Sequence, residues 1–398
     1  MSKMLRLFIF IMALSFSVPA HANFDDLRDE LEDRLRDVKR EISRIDDDGA
    51  EFPKIKLSRN ILKQGQTDPN LPLLRAKLID SMPDNVPATD PYYYDDILVE
   101  GVKSFQRAMG MKDDGVVGPQ TLSVINRTLE DEKKQIEVNL YRLEQPEWRG
   151  RPDLRIDVDI ARYHLTAYED GDVEFEMPVV VGSKKRQTVR FTTTMTGVRL
   201  NPGWTLPPTI KQEDYIPKLR SNPQWVNNKG VKIYASWDRN AEPIDPTTID
   251  WNYLSDSEIK AMRFYKNAGN ANPLGRYRFL MNNRYDIYLH DTNQKYLFNR
   301  SARAKSSGCV RVHDPRKITE FLLKDDPDWT AEKIDGILDG GKTYNVGAQR
   351  SIPVYFDYKT AWLDSTGELV LGHDIYGLDD SDYRGMMRNN SSQKTLVE

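Results

Sequence analysis

Cysteine is almost absent. Cys309 is the single one among 398 residues. A disulfide framework is excluded, and this thiol has no partner in its own chain. Histidine is scarce too, with five residues. No group of Cys, His and carboxylates has metal-ligand spacing, so neither a metal nor another cofactor is expected. An excess of positive charge is missing: 57 Lys and Arg stand against 61 Asp and Glu, a net charge of -4. A nucleic-acid binder would show a basic excess, so nucleic acid is not an expected partner. Beyond the N-terminus no stretch is apolar enough for a transmembrane helix, which needs about 20 residues. What remains is a globular chain with room for two or three domains. Aromatic residues make up 10%, enough for packed cores and for amphipathic ligands.

The N-terminus has the layout of an export signal. Lys3 and Arg6 lead into an apolar run from Leu7 to Val18, and Ala20-His21-Ala22 has the small-x-small pattern that signal peptidase reads. Residues 1–22 are expected to be a signal peptide cleaved after Ala22, which places the mature chain in the periplasm. An uncleaved anchor is the alternative, and the uncleaved signal is the expected route to a membrane. No Cys follows the run, so lipid attachment is not expected.

The rest divides by periodicity. Phe24, Leu27, Leu31, Leu35, Val38, Ile42 and Ile45 recur at steps of three and four. Residues 23–50 are expected to form a charged amphipathic helix, packed on its own protein or on a second copy. Residues 51–147 read as a small helical unit with a connector helix. Leu71, Leu74 and Leu78 carry one helical stripe and Ile97, Val102 and Phe105 another. Asp114-Gly115 makes a turn, Gly118-Pro119 opens a further helix, and Leu129, Ile136, Leu140 and Leu143 form the connector face. From about residue 152 the period becomes two: Ile156, Val158 and Ile160 alternate with charges, and strands follow at 165–168, 173–181, 191–200 and 285–290. Residues 148–347 are expected to be mainly β, with helices outside such as 316–323. Residues 210–270 look inserted and helix-capable, and are read as a lid over a groove or as a packed subdomain. Residues 348–398 are expected to be an extension packed on the β domain, ending in a flexible tail. The fold class is multidomain α+β: a small helical module plus a mainly β domain with an inserted helical lid.

The chemistry centres on Ser306-Ser307-Gly308-Cys309-Val310-Arg311. Ser-Ser-Gly suits a tight turn whose N–H groups converge. An unpaired exported thiol is either an inert core side chain or a group kept for reaction, and residue types alone leave both open. His290, in Tyr288-Leu289-His290-Asp291-Thr292, ends a strand upstream. Brought together, a thiol and an imidazole are expected to form a thiolate–imidazolium pair, whose thiolate is the nucleophile.

Two resemblances sharpen this. Val102 to Leu122, with Phe105-Gln106, Gly110, Asp114-Gly115, Gly118 and Thr121-Leu122, resembles the peptidoglycan-binding type 1 domain, a three-helix module. Pro91-Tyr92-Tyr93-Tyr94 departs from its first half, and wall binding and a purely structural role both stay open. Tyr288-Leu289-His290-Asp291-Thr292 with Ser307-Gly308-Cys309-Val310-Arg311 resembles the YkuD-type L,D-transpeptidase catalytic domain. Pro178 to Gly182, Asn201 to Ile210, Asn272 to Arg276, Thr360-Ala361-Trp362 and Asp374 to Gly377 resemble its larger Gram-negative, YcbB-like branch. Val189 departs, standing where that family usually has Pro.

The resemblance implies a YkuD-like β-sandwich and assigns roles. Cys309 would attack a diaminopimelate carbonyl of a tetrapeptide stem and expel D-Ala, with His290 as base. Gly308 and Cys309 N–H groups and the Tyr288 hydroxyl would face the oxyanion. Arg311, Ser307 and Trp204 would contact substrate, Trp204 as a wall of the groove. The partners implied are peptidoglycan stem peptides, with carbapenems as inhibitors. The product would be a 3-3 cross-link. Transfer to water, transfer to an envelope protein and a non-catalytic wall-binding role are the alternatives.

Overall fold

The computed structural model describes residues 24–48, 53–83, 88–109, 111–148, 150–238 and 240–395. The expected signal peptide lies outside them. The amphipathic stripe forms α1 (Phe24–Asp48). The helical unit contains α2 (Leu71–Lys77), α3 (Asp96–Ala108), α4 (Pro119–Ile125) and the connector α5 (Leu129–Leu143). Each start has a local cause. The Asp95 carboxylate accepts from Leu98 N, Pro119 sits at the first turn of α4, and Thr128 with Asp131 makes a reciprocal capping box. Leu62, Leu71, Leu74, Tyr94, Leu98, Val102 and Val117 close the unit's own core. Buried Gln106 holds its turn: its amide donates to Val116 O at 3.1 Å, and its carbonyl accepts from Gly115 N at 2.8 Å. Tyr94, from the stretch that departs from the family pattern, is fully buried and donates to Gly115 O at 2.9 Å.

The stripe of α1 packs within its own chain. Leu31 and Val38 are buried against Ile136 and Leu143 of α5. Arg34 meets Glu132 at 2.7 Å and Lys39 meets Glu137 at 3.6 Å. The constant offset means that the two helices run parallel.

The β domain begins with β1 (Arg155–Asp159), β2 (His164–Glu169), β3 (Asp172–Gly182) and β4 (Phe191–Leu200). Asp170 and Gly171 both have positive φ, the geometry of a tight hairpin. An insert follows: β5 (Trp204–Thr205), α6 (Pro208–Ile210), α7 (Ile216–Ser221), α8 (Gln224–Asn228), β6 (Lys232–Tyr234), α9 (Asp256–Ala261) and β7 (Arg263–Lys266). The domain resumes with β8 (Tyr277–Met281), β9 (Leu289–His290), β10 (Ala304–Ser306), β11 (Val310–Val312), α10 (Pro315–Leu323), α11 (Ala331–Asp339) and β12 (Tyr344–Asp357). A hairpin of β13 (Ala361–Leu363) and β14 (Leu369–Leu371) and the helix α12 (Asp379–Thr395) complete it.

The large sheet has the order β10-β3-β11-β9-β8-β4-β12-β1-β2, and β2 also pairs with β3, so the sheet closes on itself. Its inner face, with Ile318, Phe321 and Leu322 of α10, forms the main core.

Three expectations change. The boundary at 347/348 falls inside β12, which pairs with β4 on one side and β1 on the other. Val346, Ile352, Val354 and Phe356 are buried there, so this strand belongs to the core. The insert is not only helical: β5, β7 and β6 form a sheet over its own core of Trp204, Ile216, Trp251 and Phe264. The strand expected at 285–290 shrinks to β9. Asn283 Oδ1 accepts from Tyr285 N and Ile287 N, and Asp286 takes φ 54°, which makes a turn before the strand. Among the described residues, no helix is long and apolar enough to cross a membrane.

Candidate active site

The site follows from one parallel strand pair. β9 and β11 register Leu289 with Val310 and His290 with Arg311. Leu289 and Val310 are fully buried in the core. Strand alternation then puts Tyr288, His290, Cys309 and Arg311 together on the opposite face. β8 sets Arg278 beside His290, and β4 sets Arg199 beside Arg278.

Cys309 is half-buried. Its thiol donates to the Asp286 carbonyl at 3.4 Å, a group aimed by the turn at Asn283. The Tyr288 hydroxyl lies close enough to the sulfur to favour its ionised form. The Tyr288 and His290 rings meet edge to face, 5.8 Å apart, and the Arg278 guanidinium lies 4.1 Å from the Tyr288 ring centre. Nδ1 of His290 pairs with the Asp291 carbonyl, an obligatory acceptor, so Nδ1 carries the proton and Nε2 is the basic nitrogen. Asp291 is itself held by Arg276 N at 2.8 Å and Lys295 at 2.7 Å. Gly275, at φ 58°, leaves no room for a Cβ against Asp291.

The electrostatics correct the expected ion pair. Burial pushes the Cys309 thiol up to about 11, with hydrogen bonds from Tyr288 and the charge of Arg278 pulling the other way. Burial lowers His290 to about 3, and the nearby Arg311 and Arg278 add to this. The resting pair is therefore a neutral thiol and a neutral imidazole. Burial also holds the Tyr288 hydroxyl far above its ordinary range, so it stays a donor.

The cysteine loop is tied internally. Ser306 Oγ donates to Cys309 O at 2.5 Å and accepts from Gly308 N at 3.2 Å. The Gly308 N–H, expected at the oxyanion, is thus spent inside the loop. The Cys309 N–H has no hydrogen-bond partner among the described residues. Gly308 has φ 115°, a conformation that needs glycine. Behind it, Thr188 Oγ1 donates to Gly308 O at 2.7 Å and accepts from Gly182 N at 2.9 Å. The Tyr376 hydroxyl donates to Gly182 O at 2.6 Å and accepts from Thr188 N at 3.2 Å.

The other expected residues divide. Exposed Ser307 accepts from Arg186 Nη1 at 3.0 Å, and Arg186 also clasps Glu213 and Asp214 of the insert at 2.9 and 2.7 Å. Arg311 donates to Gln294 Oε1 at 2.6 Å, while its Nε is buried without a partner. Trp204 is 8% exposed, a core residue of the insert and not a groove wall. Tyr288 packs on that core. Thr188, Tyr376, Asp286, Arg186 and Arg278 were not singled out from sequence.

A β domain with a loop-borne thiol on the same face as a strand-end imidazole has a counterpart among known families. Residues 153–335, just under half of the chain, match the YkuD family, the L,D-transpeptidase catalytic domain. Residues 67–125 match the family described as "Putative peptidoglycan binding domain". The chain contains a YkuD-type L,D-transpeptidase catalytic domain and a helical peptidoglycan-binding domain.

A Haemophilus influenzae protein named "Putative L,D-transpeptidase" is 35% identical over 224 residues, which make up 56% of this chain and 44% of that protein. The chain thus spans less than half the length of that relative. Two solved L,D-transpeptidases also align. That of Xylanimonas cellulosilytica has 15% identity over 76% of this chain and 100% of its own, with a TM-score of 0.24. That of Mycobacterium smegmatis has 13% identity over 52% of this chain and 58% of its own, with a TM-score of 0.23. At such scores neither superposition carries an argument.

Proposed function

We propose that this chain is a peptidoglycan L,D-transpeptidase with Cys309 as its nucleophile. The observation that carries the reading is the shared face of β9 and β11, where Cys309, Tyr288, His290 and Arg311 stand together. A stem peptide covering the loop brings its carbonyl to the sulfur. His290 Nε2 takes the thiol proton as the sulfur attacks, and the oxyanion is met by the Cys309 N–H and the Tyr288 hydroxyl. The C–N bond to the terminal D-Ala breaks, and the imidazolium returns the proton to that departing amine. A diaminopimelate side-chain amine then attacks the thioester and loses a proton to His290. The thiol is restored, and the new amide is a 3-3 cross-link. The insert, clasped beside the loop by Arg186, supports exclusion of water from the thioester.

The preceding helical domain supports peptidoglycan as the partner. The leader at 1–22 supports action in the periplasm. By the same acyl chemistry, carbapenems acylate Cys309. Transfer to water or to an envelope protein's Lys shares the first half-reaction.

The test is intact-mass spectrometry with purified tetrapeptide stems. Wild-type protein gains the stem minus D-Ala on Cys309 and releases a cross-linked dimer. Cys309→Ser forms neither, because a hydroxyl is far less acidic than a thiol. Turnover retained by Cys309→Ser refutes the assignment, and a hydrolysed tripeptide as sole product makes the protein a carboxypeptidase.

A further inference from the structure

The reactive face carries more positive charge than the acyl chemistry uses. The strand registers place Arg199, Arg278, His290 and Arg311 in one row across β4, β8, β9 and β11. All three guanidinium groups are half-buried. Among the described residues, no carboxylate lies within ion-pair distance of any of them. Other arginines of this chain that leave solvent are met: buried Arg142 holds Asp379 and Asp382, half-buried Arg151 holds Asp157 and Asp357, half-buried Arg350 holds Glu169, and half-buried Arg127 and Arg303 donate to backbone carbonyls. The Nε of Arg278 is buried with no hydrogen-bond partner. Arg199 has only the neutral Asn345 side chain, at 2.7 Å. Burial and the neighbouring charge of Arg278 both work against the charge on Arg199. Adjacent cations left unpaired in a partly desolvated row are costly, unless an anion from outside completes them.

We propose that Arg278 and Arg199 form a carboxylate subsite that reads the free C-terminal α-carboxylate of the residue expelled from the donor peptide. The inference rests on the transpeptidase reading above and adds how that site chooses its bond. Position supports it. Arg278 lies over the ring of Tyr288, the residue opposite Cys309 in the strand register, and its charge acts on the Cys309 sulfur. When the scissile carbonyl sits on that sulfur, the carboxylate of a terminal residue is three bonds away, beside the nucleophile. An internal peptide bond offers an uncharged amide at the same place. A guanidinium distinguishes the two, because a charge-assisted pair forms with one and is missing with the other. Arg311 lies on the other side of His290 and is already engaged with Gln294. Once the terminal residue leaves, the subsite is free for the acceptor, whose attacking side-chain amine also neighbours a carboxylate.

The test compares two tetrapeptide stems, one ending in a free acid and one in a carboxamide, by the rate of Cys309 acylation in intact-mass spectra. Wild-type protein is expected to favour the acid by about 10- to 100-fold in kcat/KM. Arg278→Gln and Arg199→Gln should each bring that ratio towards one, and Arg278→Lys should keep part of it. Arg199→Gln, farther from Tyr288, guards against a folding defect in the first variant. Acylation of wild type by both stems at equal rates overturns the subsite alone, as does a wild-type ratio in both Gln variants. Failure of both stems to acylate Cys309 overturns the transpeptidase reading, and the subsite falls with it.

Discussion

At the scale of single residues, the main consequence is the neutral state of the proposed nucleophile and its proposed base. A thiol raised to about 11 and an imidazole lowered to about 3 do not exchange a proton at rest. In the proposed reaction activation therefore waits for substrate, and the proton moves as the sulfur attacks. Alkylation of Cys309 by iodoacetamide, without substrate, should rise about tenfold per pH unit through pH 9 and level off only near the thiol's own value. The sign follows from the raised thiol: the reactive thiolate is the minor form below that value and gains with every unit. A rate that plateaus below pH 8 would instead reveal a preformed ion pair. Cys309 and His290 were legible because both lie in short contiguous motifs of recognisable residue types. Their protonation state was not, since it depends on how deeply β9 and β11 are buried. Arg278 was equally hidden, because only the pairing of β8 with β9 makes it a neighbour of His290.

At the scale of elements, the reactive loop is held from behind by a residue 120 positions away in sequence. Thr188 Oγ1 joins Gly308 O to Gly182 N, linking the loop to the end of β3. Thr188→Val keeps the shape but strands both backbone groups in a buried place, at a cost of about 2 kcal/mol. Its melting temperature should fall by several degrees, and stem acylation of Cys309 should slow about tenfold or more as the loop loses its set position. Thr188→Ser retains the hydroxyl and should restore both. Wild-type acylation in Thr188→Val would show that the loop is held by Ser306 and its own backbone alone. Most strands were readable from alternation: β4 and the hairpin at Asp170-Gly171 lie where the period-two pattern puts them. The turn before β9 was not, because Asn283 overrides the strand pattern of Tyr285 to His290 through its own side-chain bonds. The insert's small sheet escaped notice because its strands are two to four residues long, too short for periodicity to register.

At the scale of the molecule, α5 welds the N-terminal half to the end of the chain. Buried Gln135 donates to Thr360 O at 2.8 Å and Gly372 O at 3.0 Å, buried Asn139 donates to Thr360 Oγ1 at 2.8 Å, and Arg142 binds Asp379 and Asp382 at 2.8 Å. The apolar stripe of α5 is shared between α1 and the β13–β14 hairpin. By contrast, the helical module before Arg127 touches the β domain through polar contacts such as Lys112 to Asn299 O and Ser123 to His373, each at 3.0 Å, while Arg127, at the foot of α5, donates to Leu371 O at 2.9 Å and Gly372 O at 2.7 Å. Two truncations therefore separate anchor from scaffold. The first removes only the module, residues 49–126, and keeps α1, Arg127 and α5. Because those helices run parallel, the replacement linker must run back about 28 Å, some 19 residues of helix at 1.5 Å each. About ten flexible residues suffice. This protein should keep a melting temperature within a few degrees of wild type and still acylate Cys309, while losing affinity for sacculi. The second removes everything before β1. It leaves Asp379 and Asp382 without Arg142 and bares the hairpin face around Ala361 and Leu371, which costs several kcal/mol. It should melt at least ten degrees lower or aggregate. Equal stability of the two truncations would show that α5 is not a structural part of the β domain, and undiminished sacculus binding by the first would show that the module is not the anchor.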